Sequence, residues 1–110
     1  MMNNQMKLSN HLMRERAGRY AFIATTVGLG EIVHKHSRLH IRDNKPCTVG
    51  ITSTGVIVVT GEDDTIVTLY LGTITEVQTY FDEGKVPCVL EAIVRTNMKR
   101  GYISLQNTFD

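Results

Sequence analysis

Residues 47–71 decide the fold: CTVGITSTGVIVVTGEDDTIVTLYL. CTVGIT (47–52) and VIVVT (56–60) are β-branched runs separated by Ser53-Thr54-Gly55, the pattern of a hairpin closed by a glycine-containing loop. GEDD (61–64) is a second turn and TIVTLYL (65–71) a third strand. Connections this short join antiparallel neighbours, so the stretch predicts a meander. Both faces of VIVVT are apolar and need cover, an argument for self-association in a short chain.

Downstream of Gly72 the period changes from two to 3.6. Thr73-Ile74-Thr75-Glu76 fits a capping box, with Ile74, Val77 and Phe81 along one face of a short helix. DEGK (82–85) ends it, and Pro87 suits the first turn of a second helix. That helix has Leu90, Ile93, Val94 and Met98 as its apolar face and Gly101 as its stop. Glu91, Arg95 and Lys99 follow one another at i, i+4 on the other face. YISLQ (102–106) reads as a last strand.

Upstream, Leu8, Leu12 and Met13 predict a short helix over 7–16, with Gly18 as its stop. RYAFIATTV (19–27) reads as a strand because it is β-branched and aromatic. EIVHKH (31–36) and RLHIRD (38–43) alternate as two half-buried strands, and Asp43-Asn44-Lys45-Pro46 is turn chemistry. Strands first and two short helices last predict an α+β fold: an antiparallel meander followed by two short C-terminal helices. The 110 residues suit a single domain, with an N-terminal segment over 1–18, the sheet over 19–71 and the helices over 73–101.

The composition excludes several classes. Twelve Lys and Arg against eleven Asp and Glu leave a net charge of +1, so bulk charge does not draw nucleic acid. The charge is uneven, however: residues 1–45 hold eight basic and three acidic residues, and residues 46–110 four and eight. Such a split suits self-association or an anionic ligand. Two cysteines, Cys47 and Cys88, lack zinc-type spacing and read as free thiols in the core. No apolar run reaches 18 residues, and the start has no signal-type apolar region, so the expectation is a cytoplasmic protein without a membrane partner.

Nucleophile elbows and phosphate loops are absent from the sequence. His34, His36 and His40 could converge on a metal only if one strand carried them all; as separate strands they are solvated histidines, and no metal or cofactor is expected. Glu62, Asp63 and Asp64 lie in a turn and read as solubility. Cations gather on the last helix: Arg95 and Lys99 share a face, Arg100 follows, and Asn97 lies half a turn away. The bland reading is compensation of the helix dipole; the functional one is a clamp on pyrophosphate, with Asn97 at a ribose or base edge and Tyr70, Tyr80 or Phe81 as stacking surfaces.

The run ITSTGVIVVTGEDDTIVTLYLGTITEVQTYFDEGKVPCVLEAIVRTNMKRGY (51–102) resembles the back half of the Thoeris anti-defence one family, phage proteins that act as sponges for a host immune signal. The resemblance implies a sheet followed by two short helices, oligomers up to hexamers, and sequestration of glycocyclic ADP-ribose without cleavage, with cyclic oligonucleotides taken by some members. It implies phosphate held by Arg95 and Lys99 or Arg100, a further basic position at Arg42, and an aromatic such as Tyr70 on the adenine. The expected partners are then a small nucleotide signal and further copies of the chain, not a nucleic-acid polymer, in a host cytoplasm. A second resemblance points elsewhere. His11, Arg14 and Arg16 form HxxRxR on a helix ahead of a sheet, which looks like the start of small RelE-like RNase toxins or their inactive relatives. The two readings differ in where cations gather: on the last helix for a sponge, around His11, Arg14 and Arg16 in a concave sheet face for an RNase.

Overall fold

The computed structural model describes residues 7–39, 44–81 and 85–109. Its order is β1 (Lys7–Leu8), α1 (Asn10–Glu15), α2 (Ala17–Thr26), β2 (Ile32–Leu39), β3 (Pro46–Thr52), β4 (Val56–Thr60), β5 (Thr65–Leu71), α3 (Ile74–Thr79), α4 (Cys88–Lys99) and α5 (Tyr102–Gln106), closed by a 3-10 turn at Asn107–Phe109. The strands lie in the order β1-β5-β4-β3-β2. β2 to β5 form the antiparallel meander, and the two residues of β1 add to β5 in parallel. The fold is α+β.

Helices cover both faces of the sheet. Cys47, Val49 and Ile51 of β3 and Ile57 and Val59 of β4 pack with Ile74 and Val77 of α3 and Leu90 and Val94 of α4. Val56 and Val58 point the other way and join Ile66, Leu69 and Leu71, under Leu12 of α1 and Ile23 of α2, with Tyr102 and Ile103 of α5 at the margin. VIVVT is therefore a central strand buried on both sides, and the cover it needs comes from the chain's own helices. Local chemistry agrees at the joints. Asp64 (φ 63°) and Gly55 (φ 87°) take left-handed conformations in the hairpin turns. The capping box at Thr73 is closed in both directions, Thr73 Oγ1 accepting from the Glu76 N–H at 3.2 Å and Glu76 Oε1 from the Thr73 N–H at 2.9 Å.

Several sequence expectations change. The helix expected over 7–16 is confined to α1, Asn10–Glu15, and Lys7–Leu8 ahead of it is strand β1. Residues 19–27 are not a strand but most of α2: Tyr20, Ile23 and Val27 recur at helical spacing and pack on the sheet, so tertiary burial overrides β-propensity. Gly18 does not stop a helix; it lies inside α2, where a Cβ would come within 3.0 Å of the Phe109 carbonyl. The strands placed at 31–36 and 38–43 are one strand, Ile32–Leu39, while residues 40–43 lie outside the described residues. YISLQ is helix α5, started by Gly101 at φ 76°, so a third C-terminal helix follows the two expected. Cys88 is exposed at the first position of α4, because the buried face runs through Leu90, Val94 and Asn97; Cys47 is buried as expected. Ile93 is half-buried and Met98 is 38% exposed, although the Met98 Sδ accepts from the Ile74 N–H at 3.3 Å.

One edge of the sheet is closed by a backbone contact and a side chain. Beyond β1, Ser9 donates its N–H to the Ile66 carbonyl at 2.9 Å. Further along β5, the buried Gln106 amide accepts from the Leu71 N–H at 2.8 Å and donates to the Leu71 carbonyl at 2.9 Å. Its carboxamide thus stands in for the next strand's peptide group.

Candidate functional site

A groove of about 530 Å³ opens where β3 begins and β4 passes into β5. Val67, Thr68 and Tyr70 of β5 and Pro46 and Cys47 of β3 line it. His11 of α1, with Arg16 and Arg19 at the α1–α2 junction, adds one set of basic groups; Lys45 and Glu62 come from the loops before β3 and after β4. The lining thus holds three permanent cations, one imidazole, one carboxylate and one phenol. Arg16, Arg19 and Lys45 also interact with other groups of the fold.

Local structure explains the placement of the basic set. Ser9 caps α1 by accepting the Leu12 N–H at 3.0 Å, which lets Leu12 sink into the core while His11 stays exposed beside it. The break at Arg16 (φ −132°) turns the chain into α2, placing Arg16 and Arg19 one turn apart. Arg14 is exposed on α1 and is not part of the groove lining.

Tyr70 links the groove to the far side of the sheet. Arg38 of β2 donates from Nη1 to the Tyr80 hydroxyl at 2.9 Å, with its guanidinium 5.8 Å from the centre of the Tyr80 ring. Tyr80 is in turn an electrostatic neighbour of Tyr70. Burial pushes the Tyr70 phenol well above the usual tyrosine range; the neighbouring Tyr80 and Glu76 add to this and Arg38 opposes it. Tyr70 therefore stays a neutral hydrogen-bonding group at any physiological pH.

The β2 histidines serve the same wall. His34 stacks on Phe81, centroids 4.1 Å apart and planes within 15°, and its Nε2 donates to the Tyr80 carbonyl at 2.8 Å. His36 lies tilted against Tyr80, centroids 5.8 Å apart. Among the described residues no group of three His, Cys, Asp or Glu is arranged to hold a metal, and His40 lies outside them.

The residues expected to bind ligand do not converge. Arg95 is exposed and its Nε pairs with Glu91 Oε2 at 2.8 Å. Lys99 and Arg100 are exposed at the end of α4. Asn97 turns inward, 6% exposed, and donates to the Thr54 carbonyl at 3.0 Å. Tyr70 lines the groove, whose lining includes none of these four, and Arg42 lies outside the described residues. Arg19, Lys45 and Glu62 were not singled out as binding residues by the sequence. Arg19 had a signal: read as helix, 16–19 extends the HxxRxR set by one more arginine at i+3.

No family model, curated protein or solved structure matches the chain. Among the described residues, no helix is long and apolar enough to cross a membrane.

Proposed function

We propose that the groove binds the phosphodiester of an RNA strand and that the chain cuts RNA there, in the manner of the small RelE-like RNases. The observation that carries this reading is that His11 and Arg16 of the HxxRxR set line one groove together with Arg19, Lys45 and Glu62. Cleavage by the neighbouring 2′-hydroxyl needs no metal and no water. It needs a base for the 2′-hydroxyl proton, an acid for the departing 5′-oxygen, and cations for the charge that builds on phosphorus oxygens. Glu62 is the candidate base, His11 the candidate acid, and Arg16 with Arg19 the phosphate grip. This departs from the sequence expectation of a non-enzymatic sponge because it follows the cations lining the groove.

The sponge reading stands second, supported by the exposed Arg95, Lys99 and Arg100 at the end of α4. In that reading the chain self-associates and holds glycocyclic ADP-ribose intact. One experiment separates the two. The protein is incubated with a mixed-sequence RNA oligonucleotide and, separately, with glycocyclic ADP-ribose, then heat-denatured, and the released species are identified by mass spectrometry. RNA fragments ending in a 2′,3′-cyclic phosphate, lost in His11→Ala, support the RNase. Intact RNA with recovered glycocyclic ADP-ribose supports the sponge. Intact RNA and no retained nucleotide refute both.

A further inference from the structure

β2 is a margin of the sheet, and among the described residues no strand pairs with its outer side. Along this eight-residue strand, alternate residues turn backbone N–H and C=O groups away from β3, toward any extended chain that approaches. The opposite margin is closed by β1, Ser9 and Gln106. On β2 the face turned away from Tyr80 carries Val33, Lys35, Ser37 and Leu39, all exposed, and Val33 and Leu39 keep 55% of their surface.

The charge of the strand identifies what can add to it. Residues 32–39 contain Lys35, Arg38, His34 and His36 and no carboxylate. Two copies pairing antiparallel in one sheet must set same-face residues opposite each other. No such register near the middle of β2 gives Lys35 or Arg38 a carboxylate opposite it. Centred on Lys35, two lysines face each other; centred on His36, His34 faces Arg38 of the second copy; centred on Ser37, His36 faces Arg38; centred on His34, two imidazoles meet. An edge lysine of this kind opposes self-pairing and leaves the edge open to a chain of opposite charge.

We propose that the β2 edge receives an extended acidic segment of another protein, added as a further strand, with carboxylates opposite Lys35 and Arg38 and apolar side chains against Val33 and Leu39. The site is separate from the groove, so the two proposals fail independently.

The probe is the acetylated, amidated peptide Val-Glu-Thr-Glu-Glu-Thr-Val, which in an antiparallel register sets carboxylates opposite Arg38, His36 and Lys35. Its control carries lysine in place of each glutamate. Binding to the full chain is read by fluorescence anisotropy and the contact by amide hydrogen exchange. The acidic peptide should bind about tenfold tighter than the basic one, slow exchange within residues 32–39, and lose about fivefold of that preference in Lys35→Glu. His11→Ala should bind it unchanged. No binding, equal binding of the two peptides, protection outside residues 32–39, or a dimer already protecting these amides without peptide would each overturn the proposal.

Discussion

Replacing Gln106 with alanine should unfold the sheet edge more than any surface change. The side chain is 3% exposed and makes two hydrogen bonds, at 2.8 and 2.9 Å, to the backbone of Leu71. Alanine strands a buried N–H and a buried carbonyl, each costing ~1–3 kcal/mol. Water entering the space left by the carboxamide offsets part of this, so the net loss should be ~2–4 kcal/mol. A domain of this size has about 5–15 kcal/mol in all, so the variant sits near the threshold of folding. The assay is urea unfolding followed by circular dichroism, with the slope checked for constancy. Gln106→Glu sharpens the test. A carboxylate still accepts from the Leu71 N–H but sets a charged oxygen against the Leu71 carbonyl; a carboxylic acid donates there instead. Burial of a group needed neutral raises its folded pKa above the unfolded value of ~4.3. The stabilising contribution is then fully present below that unfolded value and lost as pH rises through the raised folded one. Gln106→Glu should therefore approach the parent near pH 4 and fall away toward pH 7. A Gln106→Ala loss below ~0.5 kcal/mol, or a Gln106→Glu deficit independent of pH, would refute the strand-mimic role.

The other predictions are narrower. Cys88 should react with a thiol reagent in the native state while Cys47 waits for unfolding, because one thiol is exposed and the other buried; equal rates would contradict the placement of α4. Tyr70, whose phenol is pushed above its ordinary range mainly by burial, supports stability that is present below the unfolded value near 10 and lost as pH rises toward the folded one. Tyr70→Phe should therefore show a shallower alkaline loss of stability than the parent, read by thermal melts between pH 8 and 11 (~10 being the unfolded midpoint). Arg95→Ala should cost no more than ~0.5 kcal/mol, since its ion pair with Glu91 is exposed; a larger loss in urea unfolding would make Arg95 structural. Asn97→Ala should cost ~1–3 kcal/mol by leaving the Thr54 carbonyl without its donor beside the left-handed Gly55 turn, checked the same way.

Much of the fold was legible because its central part obeys local rules. β4 is apolar at every position but the last, β3 and β5 are set off by short glycine or aspartate turns, and Thr73 with Glu76 announces a helix in four residues. The N-terminal third was misread where two rules conflict. RYAFIATTV has the residue types of a strand and the spacing of a helix, and only the presence of a sheet surface for Tyr20, Ile23 and Val27 decides between them. YISLQ failed similarly: five residues are too few to show a period, and Tyr102, Ile103 and Gln106 find their places only against α2 and β5.

The same conflict hid the candidate groove. Treated as a strand, 19–27 put Arg19 on a pleated surface, unrelated to His11 and Arg16; treated as α2, it sets Arg16 and Arg19 one turn apart at the groove. Lys45 and Glu62 carry no local signal at all, since loop residues on different hairpins meet only through the register of β3 with β4. The cations on α4 raise the reverse question. Their helical period was correct, but period alone does not say whether a ligand or a neighbouring Glu91 satisfies Arg95, or whether Asn97 faces solvent or a turn carbonyl. A stripe of like residues on one helix is cheap for a sequence to produce. A groove lined from two helices, two strands and two separate loops requires the whole fold, and for that reason the mutational test of function belongs at His11 rather than at Arg95.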